Sequence, residues 1–198
     1  AFLDKPFRDP SGHTLVTAHP IPQRWLLEGY QAAAASVYRW FKDELALWDM
    51  DQAEQAGEDF YTHMDAKISE IEPGSNGLVV LPYFASAGTP RYNPQARGVV
   101  IGLTFANNRY HIARSFLEGI TYDMKDMLNS MISSGIEITE ARVLGGPTKS
   151  PVWNQIQADV YGIPVTTLTI SDATVLGAAI LGGVGAKVFS SITEGADS

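Results

Sequence analysis

Two adjacent glycines, a lysine and a serine stand between an apolar run and a helical pattern in residues 143–165 (VLGGPTKSPVWNQIQADVYGIPV). Glycine permits positive φ and lets a ligand approach the backbone closely. Ser150 is a good N-cap, and Pro151 suits the first position of a helix. A turn of this kind brings bare backbone N–H groups and a helix N-terminus to one edge of a sheet. That combination favours a nucleotide or another anionic ligand. The turn from Gly145 to Ser150 (GGPTKS) is therefore the leading candidate site. On local features alone, the same pattern also serves as a plain strand–helix connection. It is not a P-loop, because the spacing that ends in Gly-Lys-Ser/Thr is missing.

The remaining reactive side chains carry less. Arg91 and Arg97 lie in the loop at 85–98 (ASAGTPRYNPQARG) and have the charge to meet a phosphate, but surface ion pairs are the commoner role for such arginines. Glu118, Asp123 and Asp126 fall on one long helix. Asp123 and Asp126 are one turn apart, a spacing compatible with a cation, while a solvated polar face is the plainer reading. The histidines (His13, His19, His63 and His111) are scattered and show no metal-ligand spacing. There is no cysteine, which excludes disulfides and thiolate chemistry and fits the cytosol. No Ser/His/Asp set and no acid–base pair of carboxylates stands out, so no catalytic residue and no metal ligand is assigned to this chain.

The elements that must position these residues follow from periodicity. We expect strands at 13–19, 78–84, 98–105, 140–144 and 163–170, and helices from about Glu28 through Trp48, at 59–71, 109–134 and 150–161, and after a cap at Ser171 or Asp172. Residues 48–58 read as a surface connection. In the first helix, Ala32–Ala35 make a face with almost no side chain, suited to close helix packing or to a flat ligand. Gly119, inside the long helix, costs roughly 1 kcal/mol against alanine and so points to a close backbone approach. Strands alternating with helices in the second half argue for an α/β fold with a mixed sheet flanked by helices, built as one domain.

Composition agrees. The 198 residues are 45% hydrophobic and 18% charged, enough for a packed core. A net charge of −8 argues against non-specific nucleic-acid binding. Residues 1–12 do not read as a signal peptide, and the apolar run at 175–184 is too short to span a bilayer. The chain has no initiator methionine and begins in mid-pattern, so it reads as a fragment.

Three blocks together resemble one family. Residues 81–104 (LPYFASAGTPRYNPQARGVVIGLT), 111–128 (HIARSFLEGITYDMKDML), and 143–165 with the following SDATVLGAAILGGVGA resemble the C-terminal domain of the FGGY carbohydrate kinases, the group of xylulokinase, ribulokinase, gluconokinase and glycerol kinase. The opening FLDKPFRDPSGH is similar to the family segment after its Gly-Thr-Ser turn. Pro147 replaces the usual third glycine or alanine and removes a backbone donor. Ser86-Ala87-Gly88 stands where many members have Gly-Glu-Arg, Phe116 replaces a small residue, and Asp172 stands near the usual glutamate.

The resemblance implies an actin-like, ribonuclease-H-like ATPase fold in which residues 1–198 form the nucleotide-side domain. The N-terminal domain, with its phosphate loop, most of the sugar site and the catalytic aspartate, is absent. It implies that Gly145, Gly146, Pro147 and Ser150 hold adenine and ribose, and that Ala35 and Arg39 line the same pocket. It further implies ATP and Mg²⁺ as cofactors of the full-length enzyme, and a sugar or polyol acceptor, with a xylulose-like pentulose favoured. The implied partner is the chain's own N-terminal domain, the location cytoplasmic, and a homodimer is an open option. The fragment alone is expected to be inactive. The competing reading is a non-catalytic binding or assembly module on the same fold.

Overall fold

Asn108 accepts hydrogen bonds from the backbone N–H groups of Tyr110 and His111 and so starts the longest helix, Arg109–Ser133. The chain is described by a computed structural model that covers residues 1–168 and 172–198. In sequence order its elements are β1 (Phe2–Leu3), β2 (Leu15–Ala18), β3 (Trp25–Glu28), α1 (Ala35–Leu45), α2 (Leu47–Ala56), α3 (Phe60–Ile68), β4 (Val79–Leu81), β5 (Val99–Ile101), α4 (Arg109–Ser133), β6 (Ala141–Val143), α5 (Pro151–Tyr161), β7 (Val165–Thr167), α6 (Ala173–Gly185) and α7 (Ile192–Asp197). Pairing is both parallel and antiparallel, as expected of an α/β chain, and is distributed over three small sheets. The first is antiparallel in the order β1-β3-β2, β4 pairs with β5 antiparallel, and β6 pairs with β7 in parallel.

α4 carries the packing. Its first half supplies Ala113, Phe116, Leu117 and Ile120 to a core shared with Val37 and Phe41 of α1, Met64 and Ile68 of α3, Val80 of β4, and Trp153 and Ile156 of α5. Phe116 accounts for its own unusual size. It meets Phe41 at 5.5 Å and Phe84 at 5.9 Å between ring centroids, within the range of favourable aromatic pairs. The second half of α4 supplies Met127 and Met131 to a smaller core with Leu27 of β3. Gly119 has the expected reason: a Cβ there would lie 2.4 Å from the Val80 carbonyl oxygen. α4 therefore lies against β4 backbone to backbone.

Two expectations are corrected. The first helix, expected from about Glu28, does not begin there: Glu28 ends Trp25–Glu28, the central strand of the first sheet. The prolines at 20 and 22 turn the chain back, so 25–28 pairs with β2 and β1. The helix begins only at Ala35, because the alanines before it offer no cap and Ala34 has non-helical φ −107° and ψ −103°. Residues 48–58, expected as a surface connection, fall largely within helix α2, which ends at Gly57 with φ 69°. Its inward face carries Asp49, fully buried beside Arg109 at 3.5 Å and accepting a hydrogen bond from the Tyr110 hydroxyl at 3.3 Å. The end of the last expected strand (169–170) and the expected cap Ser171 lie outside the described residues. Asp172 stands at the N-cap of α6 without a side-chain hydrogen bond.

The N-terminal sheet is tied to α4 through Asp9. Its carboxylate accepts from the backbone and hydroxyl of Ser11, from the backbone and hydroxyl of Thr14, and from the Ser134 hydroxyl at 2.9 Å. Burial pushes the carboxyl up, but these hydrogen bonds outweigh it and hold Asp9 well below the usual carboxylate range. A depressed folded-state pKa stabilises above the unfolded value and is lost as pH falls toward the folded value. Wild type is therefore expected to resist urea better than Asp9→Asn at pH 7. That advantage should shrink as pH drops below about 4. Urea midpoints of both proteins between neutral and acid pH check this, and a constant difference would count against it.

Candidate functional site

The chain leaves β6 through Leu144 and turns at Gly145, whose φ of 85° and ψ of −165° suit glycine. A short 3-10 turn, Gly146–Lys149, follows. The Thr148 hydroxyl and backbone N–H both donate to the Gly145 carbonyl, at 2.7 and 3.1 Å, and the Asn154 side chain donates to the Thr148 carbonyl at 3.0 Å. Among the described residues, a Cβ at Gly146 would meet nothing within 4 Å, so this backbone is open toward them. Pro147, which has no N–H, sits in the first part of the turn.

Ser150 caps α5, as its sequence context predicts. Its hydroxyl accepts from the Trp153 N–H at 3.1 Å and gives its proton to Asp65 of α3 at 2.9 Å. Burial raises the Asp65 carboxyl above its ordinary value, opposed by the Ser150 hydrogen bond and, more weakly, by the Val152 N–H. A protein carboxylate thus already stands at the α5 N-terminus, where a free phosphate would otherwise be favoured. The open part of the turn is Gly145–Pro147, which suits a neutral, flat or hydroxylated group better than a phosphate.

Ala35 is the first residue of α1 and Arg39 lies one turn further; both are exposed. Among the described residues no carboxylate forms an ion pair with Arg39. The neighbouring Tyr38 is buried, stacked on Phe41 at 5.7 Å, and its hydroxyl has no hydrogen-bond partner among the described residues. Burial pushes this phenol up, and nearby Asp65 adds to the shift. The α1 and α5 candidates are therefore carried by helices of one core, and Asp65 of α3 is bonded to Ser150.

The other sequence candidates fall away from this surface. Arg91 pairs with Asp126 at 2.6 Å and approaches Asp123 at 3.9 Å, and the Arg97 guanidinium donates to the carbonyls of Pro94 and Ala96. Asp123 accepts from the Gln31 side chain at 2.9 Å. Burial raises its pKa, and hydrogen bonds from Gln31 and Tyr83 partly offset the rise. Glu118 is buried against Arg114. Among the described residues no group of three or more His, Asp or Glu side chains is arranged to hold a metal. A cavity of about 450 Å³ beside Pro10, His13, Asp126 and Asn129, and another of about 700 Å³ beside Glu72 and His111, include none of Ala35, Arg39, Gly145, Gly146, Pro147 and Ser150. No helix among the described residues is long and apolar enough to cross a membrane.

This arrangement of sheets, central helix and glycine turn has known counterparts. The family model "FGGY family of carbohydrate kinases, C-terminal domain" matches residues 3–186, and the chain belongs to that family. It is 33% identical over 190 residues to a glycerol kinase of Shewanella oneidensis, covering 93% of this chain and 36% of that protein. It is 30% identical over 181 residues to a gluconokinase of Bacillus subtilis, covering 91% of this chain and 35% of that protein. The chain thus spans about a third of the length of these relatives. Among solved structures, a xylulose kinase from Brucella ovis superposes with a TM-score of 0.79 at 24% identity, covering 98% of this chain and 38% of that one. Glycerol kinase of Plasmodium falciparum with ADP gives 0.71 at 26% identity, covering 93% and 35%. The fold is the actin-like ATPase fold of these kinases.

Proposed function

We propose that this chain is the nucleotide-holding C-terminal half of an ATP-dependent kinase that phosphorylates a sugar or polyol hydroxyl in the cytosol. The observation that carries the reading is the open Gly145–Pro147 backbone at the β6–α5 turn, in a chain matched to this family over residues 3–186. The solved relative with ADP supports a nucleotide as the ligand. In this reading Gly145, Gly146 and Pro147 support adenine and ribose, Ser150 closes the turn, and Ala35 and Arg39 form the facing wall. An aspartate of the N-terminal partner domain takes the proton of the acceptor hydroxyl, which attacks the γ-phosphate. Mg²⁺ belongs to the whole reaction in this reading; among the described residues no group of three or more His, Asp or Glu side chains is arranged to hold a metal. Pentulose, glycerol and gluconate are the acceptors to compare, since relatives of all three kinds match this chain.

Without the partner domain, two charge-assisted phosphate contacts are missing. At roughly 1.5–3 kcal/mol each, that costs about 3–6 kcal/mol, or two to four decades of affinity. We expect millimolar ADP to shift backbone amide resonances at 145–150 and 35–39, with no phosphoryl transfer to any of the three acceptors in a coupled ADP-release assay. Turnover by this chain alone, or shifts confined to other surfaces, overturns the reading.

A further inference from the structure

We propose that Asp65 is a positioning residue for the nucleotide-facing turn, holding it through the Ser150 hydroxyl. The proposal rests on the adenosine reading above. Among the described residues, the Ser150–Asp65 bond of 2.9 Å is the one side-chain hydrogen bond of residues 145–150 that leaves the 145–154 segment. Everything else that shapes the turn is local: Thr148 to the Gly145 carbonyl, Asn154 to the Thr148 carbonyl, and the Ser150 N–H to the Pro147 carbonyl at 3.1 Å. Local bonds fix the shape of a turn but not its place on the body of the protein. That place is set by a carboxylate 85 residues away on α3, whose neighbours Met64 and Ile68 are fully buried and cannot shift freely. Asp65 also lies near Tyr38, between Ala35 and Arg39 in sequence, so the helix that fixes the turn is packed against the helix that carries the facing wall. The same negative charge, at the α5 N-terminus, disfavours a phosphate there and leaves the turn to the uncharged part of a nucleotide.

The test uses the 198-residue chain and the variants Asp65→Ala, Asp65→Asn, Asp65→Leu and Ser150→Ala. We expect Asp65→Ala to speed amide hydrogen exchange at Thr148 and Ser150, the hydrogen-bonded amides of the turn, at least about tenfold, the loss of one hydrogen bond to a charged acceptor. It should also cut the response of the Gly146 resonance to millimolar ADP by a similar factor. Asp65→Asn keeps an acceptor oxygen and should stay within about threefold of wild type on both measures, a rescue that loss of packing alone does not produce. Ser150→Ala leaves α3 intact but also removes the α5 cap, so it should exceed Asp65→Ala in exchange of the turn, and Asp65→Leu, which keeps the side-chain bulk and removes the acceptor, decides the matter if Asp65→Ala fails to fold. Turn exchange unchanged in Asp65→Ala, or equal loss in Asp65→Asn and Asp65→Ala, overturns the proposal. If ADP moves no turn resonance in wild type, the nucleotide reading fails, while the exchange comparison still decides whether Asp65 holds the turn.

Discussion

Replacing Glu118 by alanine lowers the unfolding free energy by about 3–5 kcal/mol, the usual cost of removing one partner from a buried ion pair. Glu118 and Arg114 are 3% and 7% exposed, and Arg114 Nε donates to Glu118 Oε1 at 2.8 Å. The same carboxylate accepts from the Gly74 N–H at 3.0 Å and from the Ser75 hydroxyl at 2.8 Å. Alanine therefore strands a guanidinium and two smaller donors at once, and only the Ile68 carbonyl still accepts from Arg114. Against a typical total of about 5–15 kcal/mol, that loss brings the domain close to unfolding. Glu118→Gln keeps an acceptor oxygen and should cost less. The double change Arg114→Met with Glu118→Leu should cost much less than the sum of the single losses, since no charge is left behind. Urea unfolding curves of wild type, these three variants and the single changes Arg114→Met and Glu118→Leu check this. A Glu118→Ala loss below about 1 kcal/mol would show that solvent reaches the pair.

Truncating Trp153 to alanine is expected to be as damaging and to act nearer the candidate site. The ring is 5% exposed in the main core, and its Nε1 donates to the Thr121 hydroxyl at 3.0 Å. Large-to-small changes at buried Trp cost about 3–5 kcal/mol. For a domain of this size each kcal/mol corresponds to roughly 2–4 °C in melting temperature. Because the Trp153 N–H also bonds Ser150, a loosened α5 frees the end of the glycine turn. Trp153→Phe keeps most of the packing and forfeits the hydrogen bond, so its melting temperature should fall between the two. Scanning calorimetry orders the three proteins, and a Phe variant as unstable as the Ala variant counts against packing as the main contribution.

What was legible in the sequence divides by distance along the chain. α4 and α5 could be placed closely because their signals are local: an apolar stripe at helical spacing, Ser150 and Pro151 at one start, and Gly162 in left-handed geometry at one end. The glycine turn was legible for the same reason. α2 was not, since its inward face includes a charged residue whose partners lie some 60 positions away on α4. β3 was not, because four residues too few for periodicity depend on both neighbouring strands. At the site, Asp65 looks like an ordinary solvated helix residue, and nothing in its surroundings foretells a bond to Ser150. Arg39 carries no local signal and Ala35 only the bare alanine face it shares with Ala32–Ala34; their place in the proposed site stands on the family resemblance.

The two cores on α4 have a mechanical consequence. At about 1.5 Å per residue, its 25 residues make a rod roughly 37 Å long. The half before Gly119 bears much of the aromatic core, Trp153 of the helix after the glycine turn bonds at Thr121, and the far half bears the first sheet and the Asp9 loop. The missing side chain at Gly119 seats the rod against β4 near its middle and makes that contact a fulcrum. A tilt of a few degrees about it would displace the far end and the first sheet by about 1 Å but would hardly move Thr121, so the bond that steadies the glycine turn sits where the rod moves least.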